Sequence, residues 1–345
     1  MQTIEINASK KYPVIIGKDL LSKSGLLTAR HISPCRIVLV SDDKVARLYA
    51  TTVQEACQQA GHTVEIFTFP NGESQKNLNT VQNLLNFLAQ NNITRSDLIV
   101  ALGGGVTGDM AGFAAAIYLR GIAWVQIPTT LLAAVDASVG GKTGVDLPSG
   151  KNLVGAFYQP NAVFCDVKTF DTLSSEVYAD GICEVIKYGC IYDRTLFDAL
   201  LQEDIKENIE SIVARCIEIK RDIVEKDEFD SGLRQILNFG HTAGHAIERL
   251  SNYTISHGRA VAMGMKIMTK DNPHINNLLE KMFWKYNIDA TCPYSADELA
   301  QAALSDKKRT GNTITLVTLE KIGQATLQKF SVTELKVIFD RGLKA

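Results

Sequence analysis

The sequence predicts two structural halves: an α/β half in which strands alternate with helices, then a half built mainly of helices. Three observations carry that reading. Up to Ile127, short β-rich runs alternate with stretches of helical periodicity, the pattern of parallel strands covered by helices on both faces. From about Ser174 onward, apolar residues recur at helical spacing over long stretches. At 345 residues the chain has room for roughly two domains, each large enough to bury a core.

The elements follow in order. Residues Met1 to Gly17 alternate apolar and polar side chains as strands do. A strand at Arg36 to Ser41 leads to a helix from about Asp43 to Ala60, and a strand at Thr63 to Phe69 to a helix from about Leu78 to Gln90. A strand at Asp97 to Leu102 runs into three glycines, Gly103 to Gly105, a helix continues to about Leu119, and Ile122 to Ile127 is again strand. This order predicts a Rossmann-like sheet of the dinucleotide-binding type, which takes its ligands at the carboxyl ends of its strands. The second half reads as helices at Glu176 to Cys190, Ile205 to Lys226, Arg234 to Leu250, His257 to Lys270 and Ile275 to Tyr286. One hairpin, Thr313 to Leu319 with Gln324 to Phe330, interrupts them. The boundary falls near Thr172, giving domains of residues 1–172 and 173–345, with no repeat or flexible linker.

Composition excludes several function classes. Thirty-six basic residues stand against 38 acidic ones, so no global basic field exists to hold nucleic acid, and any bound anion needs a local cluster. No apolar run reaches the ~18 residues of a membrane span, and the start lacks the pattern of a signal peptide. Seven cysteines form an odd set without a CxxC pair, which reads as reduced thiols. A soluble cytoplasmic protein is the expectation.

Three motifs can carry chemistry. Gly103 to Gly108 fits GxGxxG between a strand and a helix, so its N–H groups could cradle a pyrophosphate; a plain tight turn explains the glycines as well. It lies outside the first strand–helix unit and lacks an acidic residue ~20 positions on, as the common fingerprint requires. Asp109 could cap the following helix or bond a ligand. The second motif, Asp136 to Asn152, is glycine-rich with Lys142 and Lys151 and reads as a loop without much regular structure. Its flanks, Thr129 to Val135 and Leu153 to Phe157, are too apolar for a wandering loop, so the lysines are expected to be held against an anion.

In the third, Arg234, Asn238, His241 and His245 are spaced four, three and four apart, which would put all four on one helix face. The bland alternative is a solvated polar face. Against it, His257 begins the next helix, where an antiparallel return could bring it beside His241. Glu184 and Lys187 share a face of an earlier helix. Two His and one Glu leave an open position on a divalent ion, the arrangement of catalytic zinc. Gly240 and Gly244 cost ~1 kcal/mol each inside a helix, so something must approach that backbone closely. His31, His62 and His274 read as bland surface or loop residues.

The segments GGGVTGD, RGIAWVQIPTTLLAAVDASVGGKTGVDLPSGKNLVGAFYQP, CEVIKYG, RQILNFGHTAGHAIE and HGRAVAMGM resemble the 3-dehydroquinate synthase family, and the likeness spans nearly the whole chain. The resemblance implies NAD in the N-terminal domain, a divalent metal (zinc or cobalt), and conversion of 3-deoxy-D-arabino-heptulosonate 7-phosphate to 3-dehydroquinate and phosphate. It implies Glu184, His241 and His257 as metal ligands. For NAD the matching positions are Asp42, Glu73, Lys76, Gly104, Gly105, Val106, Asp109, Thr129, Thr130, Lys142, Lys151 and Thr172. Around the substrate they are Asp136, Lys142, Lys151, Asn152, Lys187, Lys220, Arg234, Asn238 and His245, with Lys307 or Lys308. Of these, His245, Lys142, Asn152, Lys187, Arg234 and Asn238 would be catalytic. Arg120 resembles the arginine that reaches the neighbouring subunit's substrate, which implies a homodimer.

A substrate with a phosphate and a carboxylate fits a near-neutral chain with a concentrated set of Lys and Arg. One departure stands out: after His257-Gly258 the commoner pattern has Glu, and this chain has Arg259. A positive charge at a helix start is unfavourable by ~0.3 to 1 kcal/mol without a partner, so an acidic neighbour or a bound anion is expected. The rivals are another sugar-phosphate cyclase, such as 2-deoxy-scyllo-inosose or valiolone synthase, and a metal-dependent polyol dehydrogenase such as glycerol dehydrogenase. A non-catalytic descendant would have lost ligands, and none is missing. Intact DASVGGKTG with Arg234 and Asn238 favours the dehydroquinate enzyme.

Overall fold

The structure is a computed structural model that describes residues 1–304, 309–310 and 312–344. It divides into two compact units, residues 1–173 with 216–229, and residues 174–215 with 230–344. The expected boundary near Thr172 therefore omits a return, because residues 216–229 go back to the first unit. Side chains anchor that return: Glu225 accepts from the Asn7 N–H at 2.7 Å, and Glu228 accepts from Ser9 Oγ at 2.6 Å.

The first unit runs β1 (Gln2–Asn7), β2 (Lys11–Gly17), α1 (Ser24–Ala29), β3 (Arg36–Asp42), α2 (Asp43–Gln59), β4 (Thr63–Phe69), α3 (Leu78–Gln90), β5 (Leu98–Gly103), α4 (Gly105–Ile117), β6 (Ala123–Pro128), β7 (Lys142–Leu147), β8 (Gly150–Phe157) and β9 (Ala162–Asp166). Seven strands form one sheet in the order β1-β2-β9-β6-β5-β3-β4, parallel except for the β1–β2 hairpin. Its inner strands are apolar on both sides because helices cover both faces. Ile37, Leu39, Leu98 and Val100 pack against Val53 and Cys57 of α2, whereas Val38, Val40, Ile99 and Ala101 pack against α3 and α4. The sheet is thus Rossmann-like, as the alternation predicts.

From β3 the chain steps outward to β4, then returns to β5 on the other side of β3. That reversal opens a crevice at the carboxyl ends of β3 and β5, where sheets of this kind hold ligands.

The Asp136 to Asn152 segment is not a structureless loop. It begins in the last residues of a π-helical turn, Ala133–Ala137, and runs into the antiparallel β7–β8 hairpin. Strand patterning is masked there because β8 is largely exposed and glycine interrupts it.

The second unit contains α5 (Ser175–Ile191), α6 (Arg194–Gln202), the start of α7 (Ile209–Val224), α8 (His241–Leu250), α9 (His257–Thr269), α10 (Pro273–Lys285), α11 (Ala296–Ala303), β10 (Arg309–Thr310), β11 (Thr313–Lys321), β12 (Gln324–Ser331) and α12 (Leu335–Leu343). It is mainly helical, and β11 and β12 form the expected hairpin. Its core joins Ala243, Ala246 and Ile247 of α8 to Ala260 and Met263 of α9, with Leu299, Leu335 and Phe339 beyond.

The single helix expected from Arg234 to Leu250 is broken. Residues Leu233–Asn238 form a 3-10 turn, and Gly240 adopts φ 76° before α8 begins at His241. A Cβ on Gly240 would meet the Val261 carbonyl at 2.7 Å, so α9 is what approaches this backbone. Arg234 and Asn238 consequently do not share a helix face with His241 and His245. Among the described residues no helix is long and apolar enough to cross a membrane.

Candidate active site

The second unit brings Glu184, His241 and His257 together, with one ligand atom from each lying within 4.8 Å of the others. Helix α5 supplies Glu184, which is fully buried, and His241 and His257 are the first residues of α8 and α9. Glu184 Oε1 lies 3.6 Å from His241 Nε2 and 3.5 Å from His257 Nε2. The other ring nitrogens are committed: His241 Nδ1 donates to the Phe239 carbonyl at 3.1 Å, and His257 Nδ1 to Glu248 at 3.3 Å. Those bonds turn both Nε2 atoms toward Glu184 and would fix the neutral tautomers that a metal needs.

Burial works against a charged imidazole at His257, but the carboxylates of Glu184 and Glu248 outweigh it and push the pKa up to about 10. A site so attractive to a proton is attractive to a cation. Two imidazoles and one carboxylate fit zinc or cobalt with an open coordination position.

Asp180, one turn before Glu184, sets where α9 begins. Its carboxylate accepts from Ser256 Oγ at 2.6 Å and from the Arg259 N–H at 3.2 Å, capping α9 from another helix. Burial raises its pKa above the usual carboxylate range, although these bonds oppose the rise. Arg259 has the acidic neighbour that its position calls for. Its guanidinium pairs with Asp289, and Nε donates to the Asp289 carbonyl at 2.9 Å.

Lys187 is buried one turn from Glu184 and ion-pairs with it. The His245 ring lies 5.5 Å from that of His241 and 6.3 Å from that of His257. Arg234 is buried on the 3-10 turn and Asn238 half-buried at its end. Lys307 and Lys308 lie outside the described residues.

In the first unit the expected cofactor residues cluster at the carboxyl ends of the strands. Asp42 ends β3 and caps α2, accepting from the Lys44 and Val45 N–H groups at 3.0 Å. Gly104 is the N-cap of α4 without a side-chain cap, and Gly105 and Val106 form its first turn. The Thr129 N–H bonds the Gly103 carbonyl at 2.9 Å, while Thr129 Oγ1 is buried without a hydrogen-bond partner. Thr130 packs against Gly104. An uncapped helix start, an orphaned hydroxyl and the crevice beside β3 fit a dinucleotide phosphate. Thr172 bonds Tyr49 of α2 at 2.6 Å.

Lys76 is buried and donates to Asp109 at 2.6 Å and to Asn152 at 2.7 Å. Burial would lower its pKa, but Asp109, Glu73 and Asp146 raise it, so the ammonium persists. Lys151 pairs with Glu73 at 3.2 Å. Lys220 of α7 is buried and bonds Asp136 through both its carboxylate, at 2.9 Å, and its carbonyl. Lys142 is exposed at the start of β7. Arg120 is exposed with φ 67°, next to Leu119 at φ 50°.

Sequence reasoning missed Glu248, Asp180 and Asp146. Glu248 could have been found, since His241, His245 and Glu248 share a helix face at i, i+4 and i+7. His62 is not a surface residue; it is buried, and its Nδ1 accepts from the Cys35 N–H at 3.2 Å.

Comparison with known proteins fits this geometry. The family profile of the 3-dehydroquinate synthase N-terminal domain matches residues 66–180, and that of the C-terminal domain matches residues 181–309. The 3-dehydroquinate synthase of Streptococcus sanguinis (strain SK36) is 43% identical over 339 residues, covering 94% of this chain and 96% of that protein. A solved 2-deoxy-scyllo-inosose synthase, complexed with carbaglucose-6-phosphate, NAD+ and Co2+, superposes with a TM-score of 0.85 at 27% identity, covering 99% of this chain and 100% of that one. The 2-epi-5-epi-valiolone synthase of Streptomyces hygroscopicus subsp. jinggangensis 5008, with NAD+ and Zn2+ bound, shares the fold at a TM-score of 0.86 and 22% identity, over 95% of each chain. Two matched domain profiles and this identity across almost the full length show that the chain belongs to the 3-dehydroquinate synthase family.

Proposed function

We propose that the chain converts 3-deoxy-D-arabino-heptulosonate 7-phosphate to 3-dehydroquinate and phosphate, as a phosphate-eliminating carbon–oxygen lyase using NAD and zinc or cobalt. The observation that carries this reading is the Glu184–His241–His257 triad, with both imidazoles oriented from behind, in a chain of this family. Bound NAD would supply a hydride acceptor and donor, and the divalent ion Lewis-acid polarisation of the substrate hydroxyl.

The chain's own residues do the rest. The uncapped start of α4, with Gly104, Gly105 and Val106, and the hydroxyls of Thr129 and Thr130 bind the cofactor, while Lys76 holds Asp109 in place. Lys142, Lys151 and Asn152 bind substrate oxygens, as do Lys187, Arg234 and Asn238 in the second unit. Lys220 orients Asp136. His245, one turn beyond His241, moves a proton to or from the substrate. Arg120 would serve a second copy, so the working form is a homodimer in the cytoplasm. Its exposed guanidinium, on a backbone of positive φ, supports that role.

Cofactor accounting tests the proposal. Oxidation and reduction within one cycle return NAD unchanged, so phosphate and 3-dehydroquinate should form in equal amounts over many turnovers on substoichiometric NAD. Reduced nicotinamide accumulating mole for mole with an oxidised polyol, without phosphate release, would instead mark a dehydrogenase.

A further inference from the structure

Three hydrogen bonds close a ring in the first unit. The Lys76 ammonium donates to Asn152 Oδ1 at 2.7 Å, the Asn152 N–H donates to Asp146 Oδ1 at 2.7 Å, and the Asp146 N–H donates to the Lys76 carbonyl at 2.8 Å. Asp146 is available for this because the β7–β8 register shifts between Val145 and Leu147, where the extra residues lie on β8 and Asp146 faces the unpaired stretch from Lys151 to Leu153. Bulges re-aim a side chain in this way beside functional sites. Freed from β8, Asp146 makes a parallel bridge with Asn77 instead. Its carboxylate also holds Asn152 at φ 53°, a left-handed conformation that a side-chain-bearing residue adopts at a cost.

From this ring we propose that Asp146 is a positioning residue that couples the Glu73–Lys76 loop to the Lys151–Asn152 segment, so that filling one site strengthens binding at the other. The inference rests on the proposed function, which gives the loop to the cofactor and the segment to the substrate. Occupation of either side fixes the shared ring, and the second ligand then meets groups already ordered. Coupling of this kind is reciprocal. Lys76 lies at its centre, a buried cation held by Asp109 on the cofactor side and Asn152 on the substrate side.

The test is calorimetric titration of the full-length metal-loaded enzyme with NAD, with and without saturating 3-dehydroquinate and with no phosphate present. In the wild type, 3-dehydroquinate should tighten NAD binding about fivefold or more. In Asp146→Ala the two affinities should converge to within about twofold, and KM for the heptulosonate phosphate should rise about tenfold with kcat little changed. Asp146→Asn keeps an oxygen acceptor and should recover both. Asp146→Ser, too short to span to Asn152, should repeat the alanine result if that variant aggregates. An alanine or serine variant with the wild-type ratio overturns the proposal, as does a wild type that binds both ligands without mutual effect. An asparagine variant no better than alanine overturns it too. A wild type that neither binds 3-dehydroquinate nor releases phosphate from the heptulosonate phosphate sinks the functional reading itself.

Discussion

The His257 imidazole and the Glu248 carboxylate lie 3.3 Å apart, Nδ1 to Oε2, and Glu248 stands two turns beyond His241 on α8. In the proposed metal site one helix therefore contributes one nitrogen ligand and orients the other. A carboxylate behind an imidazole raises its basicity and fixes its rotation, and losing such a partner commonly costs about 10–100-fold in metal affinity. Glu248→Ala should fall near the upper end and Glu248→Gln, which still accepts the N–H, near the lower. Titrating metal-free protein with cobalt and following its visible absorption measures both. An unchanged dissociation constant in Glu248→Ala would remove it from this role.

Removing the metal is the coarser test. Chelation should abolish activity, and zinc or cobalt should restore it. His257→Ala deletes one of three donors and should lower metal occupancy strongly, read by elemental analysis after dialysis. Full occupancy in that variant would take His257 out of the donor set.

The alternation of strand and helix was legible because the central parallel strands are buried on both faces and each covering helix on one, which writes two different periods into the chain. The triad was legible because Glu184, His241 and His257 are chemically distinctive. The break at Phe239 and Gly240 was not. A spacing of four, three and four suits a continuous helix, and only the nearness of Val261 in α9 shows why Gly240 takes a left-handed turn. The return of residues 216–229 was hidden for the same reason: Glu225 and Glu228 look like ordinary helix-surface acids until Asn7 and Ser9 are found against them. Asp180 and Asp146 act through other residues, and a sequence does not show which backbone N–H a carboxylate will reach.

Arg259 departs from the commoner glutamate, yet its charge is satisfied by Asp289 rather than by the metal site. Both partners are substantially exposed, and exposed pairs contribute about 0–1 kcal/mol. Arg259→Glu keeps the backbone N–H that Asp180 caps, so metal affinity should change less than about threefold, while melting should shift by only a few degrees. A tenfold loss of cobalt affinity in that variant would make Arg259 part of the metal's surroundings.

Lys142 stands exposed at the head of β7. Lys142→Ala should lower kcat/KM for the heptulosonate phosphate by about a hundredfold or more, as expected when a charged substrate contact is lost, and leave NAD affinity within about twofold. Parallel loss of NAD binding would place Lys142 on the cofactor instead.

One close backbone approach in the second unit lies beside His257. A Cβ on Gly258 would fall 2.4 Å from Asp180 Cα and 2.5 Å from its carbonyl oxygen, both backbone atoms of α5 that no rotamer change can move. Even alanine must therefore push α9 away from α5, and overpacking of this kind costs about 1–3 kcal/mol or more. The displacement starts one residue from His257 and one turn from Glu184, so the donor atoms should separate as the helices do. Gly258→Ala should melt several degrees below the wild type and bind cobalt at least about tenfold more weakly, since donor geometry tolerates little displacement. Arg259→Ala, one residue further on, removes a side chain without adding bulk between the helices and should leave cobalt affinity nearly unchanged. Wild-type melting and wild-type cobalt affinity in Gly258→Ala would show that α5 and α9 do not approach this closely in solution.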